Sequence, residues 1–217
     1  MINMLIMGPA GAGKGTMSEK IMEHYGITHI STGDMFREEM RNNTELGQAA
    51  KSYIEAGKLV PDEVTIAMVN SRISKGDCGE GYLLDGFPRS LAQAEAYDLS
   101  VEGTDMAVNA VVNLAIDKEL LISRIENRRI CRDCGAVYNL ISSPSMVEGV
   151  CDRCGGELYQ RVDDNRERLV VRMQEYENET EPVLDYYRKK GLVHDVDASL
   201  SIEEVWQQID EILAGLA

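Results

Sequence analysis

Basic residues are in short supply in this 217-residue chain: 22 Lys and Arg stand against 37 Asp and Glu, a formal net charge of −15. Such a balance argues against a nucleic acid or an anionic membrane as the main partner, because phosphate backbones reward clustered cations. Aromatic residues make up only 6% of the chain, so the interleaved aromatics expected of a nucleic-acid-binding surface are missing as well. No apolar run approaches the length of a membrane span, and there is no internal repeat or low-complexity tract. The N-terminus lacks the basic-then-apolar pattern of an export signal. The expectation is a cytoplasmic chain with no membrane partner, built as one large domain or a core with small insertions.

Lysine is also absent between Arg124 and Arg172, where nine arginines lie. Arginine presents a planar, permanently charged fork that grips phosphate oxygens in pairs. A solvated basic face remains an open reading for several of them, notably Arg129, Arg132, Arg153, Arg166 and Arg168.

The run from Gly8 to Thr16, GPAGAGKGT, follows the apolar stretch Ile2–Met7 and precedes a helical pattern carrying Met17, Ile21 and Tyr25 on one face. Strand, glycine-rich loop and helix in that order form a phosphate cradle: backbone N–H groups converge on an anion at the positive end of the helix dipole. Lys14 then reaches the β- and γ-phosphates of a nucleoside triphosphate. The usual hydroxyl directly after the lysine is displaced by Gly15 to Thr16, which puts direct magnesium ligation by that side chain in question.

Cys131, Cys134, Cys151 and Cys154 form C-x2-C-x16-C-x2-C, the spacing of a zinc ribbon. Four thiolates close a tetrahedral shell and leave no open position, so the site is read as structural, holding zinc or iron in the same cage. Two disulfides are the alternative, and they fit poorly with a chain lacking an export signal. Gly135 and Gly155 follow the two pairs and permit tight turns. The segment between the pairs holds Val137, Tyr138, Leu140 and Ile141 with Gly and Pro nearby, too few apolar residues to fold alone, so metal binding supplies the stability it lacks. Cys78 is left over, as a small packing residue.

Apolar runs at Ile2–Met7, Ile27–Ile30, Tyr82–Leu84, Val108–Leu114 and Leu192–Val196 alternate with helical patterns. This rhythm implies an α/β fold, a parallel sheet covered by helices on both faces. Helix starts are read at Pro61-Asp62-Glu63, at Asp117 and at the capping box of Ser201 with Glu204. Pro182 is expected to interrupt the pattern from Arg166 to Lys190. Two segments break the rhythm: 31–60, read as short helices punctuated by Gly33, Gly47 and Gly57, and 127–164, which carries the cysteines. Both are placed over the C-terminal edge of the sheet, where open α/β folds bind ligands.

With STGDMFR at 31–37, GKLVPD at 57–62, DGFPR at 85–89 and the four-cysteine insertion in family order, the chain resembles the adenylate kinases of the long-lid, metal-containing type over nearly its whole length. The resemblance implies a P-loop fold with a five-stranded parallel sheet as its core (1–30, 61–126 and 165–217), a helical AMP-binding insertion (31–60) and a zinc-ribbon-like lid (127–164). It implies reversible phosphoryl transfer, MgATP and AMP giving two ADP; a monomer is expected because one chain supplies every needed group. By the same similarity Gly11, Ala12, Gly13, Lys14, Gly15 and Thr16 hold ATP, with Arg124, Arg128, Val137, Tyr138 and the backbone of Leu200. Thr32, Arg37, Lys58, Leu59, Val60, Gly86, Phe87, Pro88, Arg89 and Gln93 hold AMP, and Arg161 and Arg172 bridge the phosphates. Asp85 is the carboxylate nearest Mg2+, acting through water, Zn2+ is the structural metal, and Phe87-Pro88 follows a pattern with a cis peptide. Read from the residues alone, Asp85 also fits a turn cap, Thr32 a helix cap, and Ser90 with Gln93 a capping box. Three positions depart from the family: Ala10 replaces the proline usual in the loop, and Arg166 and Arg168 stand where acidic residues are common.

The chemistry agrees from another side. A phosphate oxygen is already anionic at neutral pH, so no general base is needed and none of the three histidines has to be catalytic. The difficulty is to bring polyanions together and exclude water, which is a task for positioning and electrostatics. Lys14, Arg89, Arg128, Arg161 and Arg172 are the cations for it, with Asp85 beside the metal. Two rivals remain open: a kinase for UMP, CMP or GMP, and a zinc-ribbon nucleic-acid-binding ATPase.

Overall fold

A computed structural model describes residues 1–216. Its centre is a five-stranded parallel sheet in the order β2-β3-β1-β4-β8, made of β1 (Ile2–Met7), β2 (Thr28–Ser31), β3 (Gly81–Asp85), β4 (Ala110–Ala115) and β8 (Val193–Asp197). The five strands coincide with the five apolar runs of the sequence. A strand buried on both faces sends alternate side chains to opposite sides. Ile2, Met4 and Ile6 meet Met17 and Ile21 of α1 (Lys14–Tyr25), Leu121 of α6 (Lys118–Glu126), and Val205, Ile209 and Leu213 of α9 (Ile202–Ala214). On the other side Leu5 and Met7 meet Val69 of α4 (Asp62–Ile73), Tyr97 of α5 (Leu91–Val101) and Val183, Leu184 and Tyr187 of α8 (Glu181–Lys189). Both faces are therefore covered, as alternating strands and helices require.

Between β2 and α4 the chain forms α2 (Thr32–Arg41) and α3 (Glu45–Glu55), a helical pair with its own small core of Phe36, Ala50 and Val60. Here the reading of glycines as punctuation needs correcting. Gly33 and Gly47 lie inside helices, and only Gly57, at φ +75°, ends one. Gly47 is required by contact: a Cβ there would sit 2.3 Å from the backbone of Glu39, where α3 crosses α2.

After α6 a separate three-stranded antiparallel sheet, order β6-β5-β7, is built from β5 (Arg128–Cys131), β6 (Val137–Asn139) and β7 (Leu158–Tyr159). The chain then returns through α7 (Arg166–Glu175). The expected interruption before Pro182 is a widened π turn at Tyr176–Thr180, with proline in the first turn of α8. Proline offers no N–H and crowds the preceding turn, so the helix loosens ahead of it. The helix starts stand as read: Pro61 and Asp117 precede α4 and α6, and Ser201 and Glu204 form the reciprocal capping box of α9. No described helix is long and apolar enough to cross a membrane.

Candidate active site

The glycine-rich loop leaves the C-terminal end of the central strand β1 and runs into α1, so it occupies the crevice where the strand order reverses. Gly11 and Gly13 adopt φ of +87° and +99°, a region that L side chains avoid. A Cβ on Gly11 would in addition meet Ile125 at 2.8 Å. Lys14 folds back over the loop and donates to the carbonyls of Gly8 (2.7 Å) and Pro9 (3.1 Å). Burial lowers its ammonium to about 8; Asp85 opposes the shift, and Arg89, Arg172 and Arg128 add to it.

Asp85 ends β3 beside this lysine. Burial would raise its carboxyl, but the neighbouring His29 imidazole and the charge of Lys14 hold it below the ordinary range. The His29 Nε2 to Asp85 Oδ2 separation is 3.8 Å. The DGFPR turn follows, with a cis Phe87-Pro88 bond and Gly86 at φ +77°. There Arg89 Nε donates to the Gly86 carbonyl at 2.7 Å. Enclosure in the cleft and the neighbouring Arg172 lower the Arg89 guanidinium to about 10, which still leaves it charged at neutral pH.

The remaining arginines arrive from the small sheet and α7. Arg128 makes a two-pronged ion pair with the fully buried Asp164, its Nε donating to Oδ2 at 2.8 Å. Arg172 donates to Asp163 at 2.7 Å and lies 3.6 Å from Asp164. Burial would raise Asp163, but Arg172, Arg161 and Arg128 keep it low. Arg161 is lowered to about 10 by burial and by Arg37 and Arg128. Its Nη2 stands 3.8 Å from Asp34 of α2, and its buried Nε has no protein partner. Five cations thus gather at one crevice: Arg128, Arg161 and Arg172 face carboxylates, while Lys14 and Arg89 donate to backbone carbonyls. Such an assembly suits a polyanion.

A cavity adjoins them, lined among others by Thr32, Arg37, Lys58, Val60, Gly86 and Gln93. Thr32 does not cap α2; Ser31 does, accepting from Asp34 N–H, while Thr32 donates to the Gly86 carbonyl at 2.7 Å. Ser90 caps α5, but Gln93 does not complete the box. Its amide accepts from Arg89 N–H and donates to Asp62, at 2.7 Å each.

On the small sheet the four cysteines converge, every sulfur within 4.8 Å of the others, with Cys131–Cys154 at 3.4 Å and Cys134–Cys151 at 3.6 Å. These are free thiols, far beyond bonding distance for a disulfide. Tetrahedral metal–sulfur bonds of about 2.3 Å place sulfurs about 3.8 Å apart, so the cluster has the size of a metal cage. Gly135 and Gly155, both at φ +75°, each donate to the cysteine four residues back and form paired knuckles.

The adenylate kinase family model matches residues 6–192. An adenylate kinase of Carboxydothermus hydrogenoformans is 53% identical over 212 residues, covering 98% of this chain and 99% of its own. Those of Archaeoglobus fulgidus and Bacillus licheniformis are each 50% identical, over 98% and 99% of this chain and 98% and 99% of theirs. The chain belongs to the adenylate kinase family.

Membership covers the full length, so the reading as a zinc-ribbon nucleic-acid-binding ATPase falls away. The crevice brings together Lys14, Asp85, Arg89, Arg128 and Arg172, and the cavity brings together Thr32, Arg37, the 58–60 segment and Gln93. Three further residues singled out earlier have these surroundings. Val137 and Leu200 are solvent-exposed, and the Tyr138 hydroxyl turns to the cysteines, 3.3 Å from the Cys151 sulfur and accepting from Asp152 N–H. Three others enter the site unannounced: His29 beside Asp85, Asp34 between Arg37 and Arg161, and Asp62 behind Gln93. For Asp34 a local signal existed, since it precedes Arg37 by one helical turn. His29 and Asp62 have none, because their partners are distant in sequence.

Proposed function

We propose that this crevice transfers the terminal phosphoryl group of ATP directly to AMP and back, giving two ADP. Membership of the family carries the reaction; the assignment of residues is our reading. The observation that supports it best is the gathering of Lys14, Arg89, Arg128, Arg161 and Arg172 between a phosphate cradle and a second cavity. In this reading Gly11–Thr16 cradles ATP with Arg124, Arg128, Val137, Tyr138 and Leu200 toward its other end. Thr32, Arg37, residues 58–60, the 86–89 turn and Gln93 take AMP.

An oxygen of the AMP phosphate attacks the γ-phosphorus, the bond to the β-phosphate oxygen breaks, and ADP leaves in line. No proton has to move at the acceptor. Lys14 follows the phosphates, Arg89 and Arg172 draw the two anions together against their repulsion, and Arg128 and Arg161 close from the lid side. Keeping water out decides whether AMP or solvent receives the group, and segment 127–164 serves as that cover. It already reaches across: Arg153 pairs with Glu19 on α1, and Arg161 faces Asp34.

Asp85, an oxygen donor held ionised beside Lys14, fits a hard cation bound through water. Magnesium held there would supply charge neutralisation for the phosphates. The four cysteines fit zinc as a closed structural site. One chain supplies every group, which supports a working monomer. ADP formation from ATP with AMP, UMP, CMP and GMP in turn tests the reading: AMP is expected to be the strongly preferred acceptor, and preference for another monophosphate overturns it.

A further inference from the structure

The amide of Gln93 is gripped at both ends, and its two partners decide which way round it sits. Gln93 is 1% exposed at the start of α5 and lines the cavity with Thr65 and Val60. Its Oε1 accepts from the Arg89 backbone N–H, and its Nε2 donates to Asp62 Oδ1, each at 2.7 Å. A backbone N–H only donates and a carboxylate only accepts. Turning the amide over would set oxygen against carboxylate and NH2 against N–H, losing two hydrogen bonds in a buried place where unmade ones are costly. Asp62 is itself anchored. It accepts from Ser90 Oγ at 3.0 Å and opens α4, where the helix dipole favours an anion. Each end of the amide thus spends one hydrogen-bonding capacity on the protein. One N–H and one oxygen lone pair are left for whatever enters the cavity.

We propose that Asp62 is a specificity-determining positioning residue: by locking the polarity of the Gln93 amide, it makes the acceptor site read a base edge that pairs a ring acceptor with an amino donor. Adenine has that edge, with N1 to take the free N–H and N6 to donate to the oxygen. Hypoxanthine has the same outline and the reverse polarity, N1–H beside a carbonyl, so donor meets donor and acceptor meets acceptor; guanine shares that reversed edge. Rejection of these bases then needs no steric block. The inference rests on the reading above that this cavity takes the acceptor monophosphate.

The test compares kcat/KM for AMP and IMP in the wild-type enzyme, Asp62→Asn and Gln93→Ala. Asparagine matches aspartate in shape but can present either an oxygen or an amino group, so it no longer opposes a turned Gln93 amide, and only the Arg89 N–H still holds the native orientation. The AMP-over-IMP preference of Asp62→Asn is expected to fall by roughly tenfold or more, chiefly through KM, with IMP gaining in absolute terms. A merely structural Asp62 would depress both nucleotides together and leave the ratio where it was, which overturns the proposal. Asp62→Ser, whose hydroxyl also donates or accepts, repeats the test if the asparagine variant does not fold. Lost preference in Gln93→Ala with intact preference in Asp62→Asn refutes the lock alone. An unmoved ratio in Gln93→Ala, or no AMP turnover in the wild type, refutes the reading of the site.

Discussion

Lys14 shows how a single side chain couples burial to charge. Its ammonium is pulled to about 8 by burial, with three nearby guanidinium groups adding to the effect, against an ordinary value of about 10.4. In the free enzyme kcat/KM for MgATP should turn down as pH rises through about 8. A bound triphosphate favours the charged lysine, so the corresponding fall in kcat should lie at higher pH. The stability sign is opposite. Between about 8 and 10.4 the unfolded chain holds the extra proton, so this group makes stability rise with pH across that window. Steady-state pH profiles beside thermal melts separate the two. Lys14→Met should cut turnover by at least roughly 10²–10³-fold while the chain still folds, and near-normal rates would remove the cradle from the mechanism. Arg89→Ala should lose activity on a similar scale with a melting temperature within a few degrees of the parent, because Arg89 makes one backbone contact outside the packed core.

Elements carry a different kind of constraint. Helices α2 and α3 touch where Gly47 lacks a Cβ, and Gly47→Ala would push 2.3 Å contacts into the backbone of Glu39. Overpacking of this kind costs about 1–3 kcal/mol. Its effect should be confined to the AMP side: KM for AMP rises while KM for ATP stays near its parent value, which initial-rate kinetics with each substrate varied will show. The small sheet depends on its cysteines in the same local way. Its buried cluster consists of Cys131, Ala136, Tyr138 and Cys151, with Leu158 packed against it, too little apolar surface to stand alone. Cys154→Ala should lower the bound metal and the melting temperature more than it lowers the rate at moderate temperature. Metal analysis and melts on one sample decide it, and unchanged metal stoichiometry would count against the four-thiolate cage.

At the scale of the whole molecule, three parts of the chain meet through charge. Arg128–Asp164 and Arg172–Asp163 tie the two ends of the cysteine segment to the crevice, while Arg153–Glu19 and Arg161–Asp34 reach from it to α1 and α2. A ligand that spans cradle and cavity should hold all of them at once. A bisubstrate dinucleotide at about one hundred times its dissociation constant should stabilise the protein by about 2.7 kcal/mol. For a chain of this size that is a rise of roughly 5–11 °C in melting temperature. ATP supplied without AMP should show slow hydrolysis by water, and the spanning ligand should abolish it. No rise with the dinucleotide would break the end-to-end arrangement.

Much of this was legible in one dimension because the determinants are local. The phosphate cradle needs only a strand, a glycine-rich loop and a helix in immediate succession. The cysteine cage needs two short knuckles, and each buried strand announces itself as a continuous apolar run. The sequence by itself therefore determined the sheet, the cradle and the metal ligands. Tertiary structure alone decided the rest, because those interactions join residues that no spacing rule connects. His29 reaches Asp85 across 56 positions and Asp62 reaches Gln93 across 31. Gly47 is a glycine because a second helix crosses it, and Tyr138 turns to sulfur because the knuckles fold onto its face. Hydrogen-bond polarity and close packing are set by what stands opposite in space, and only the folded chain puts anything there.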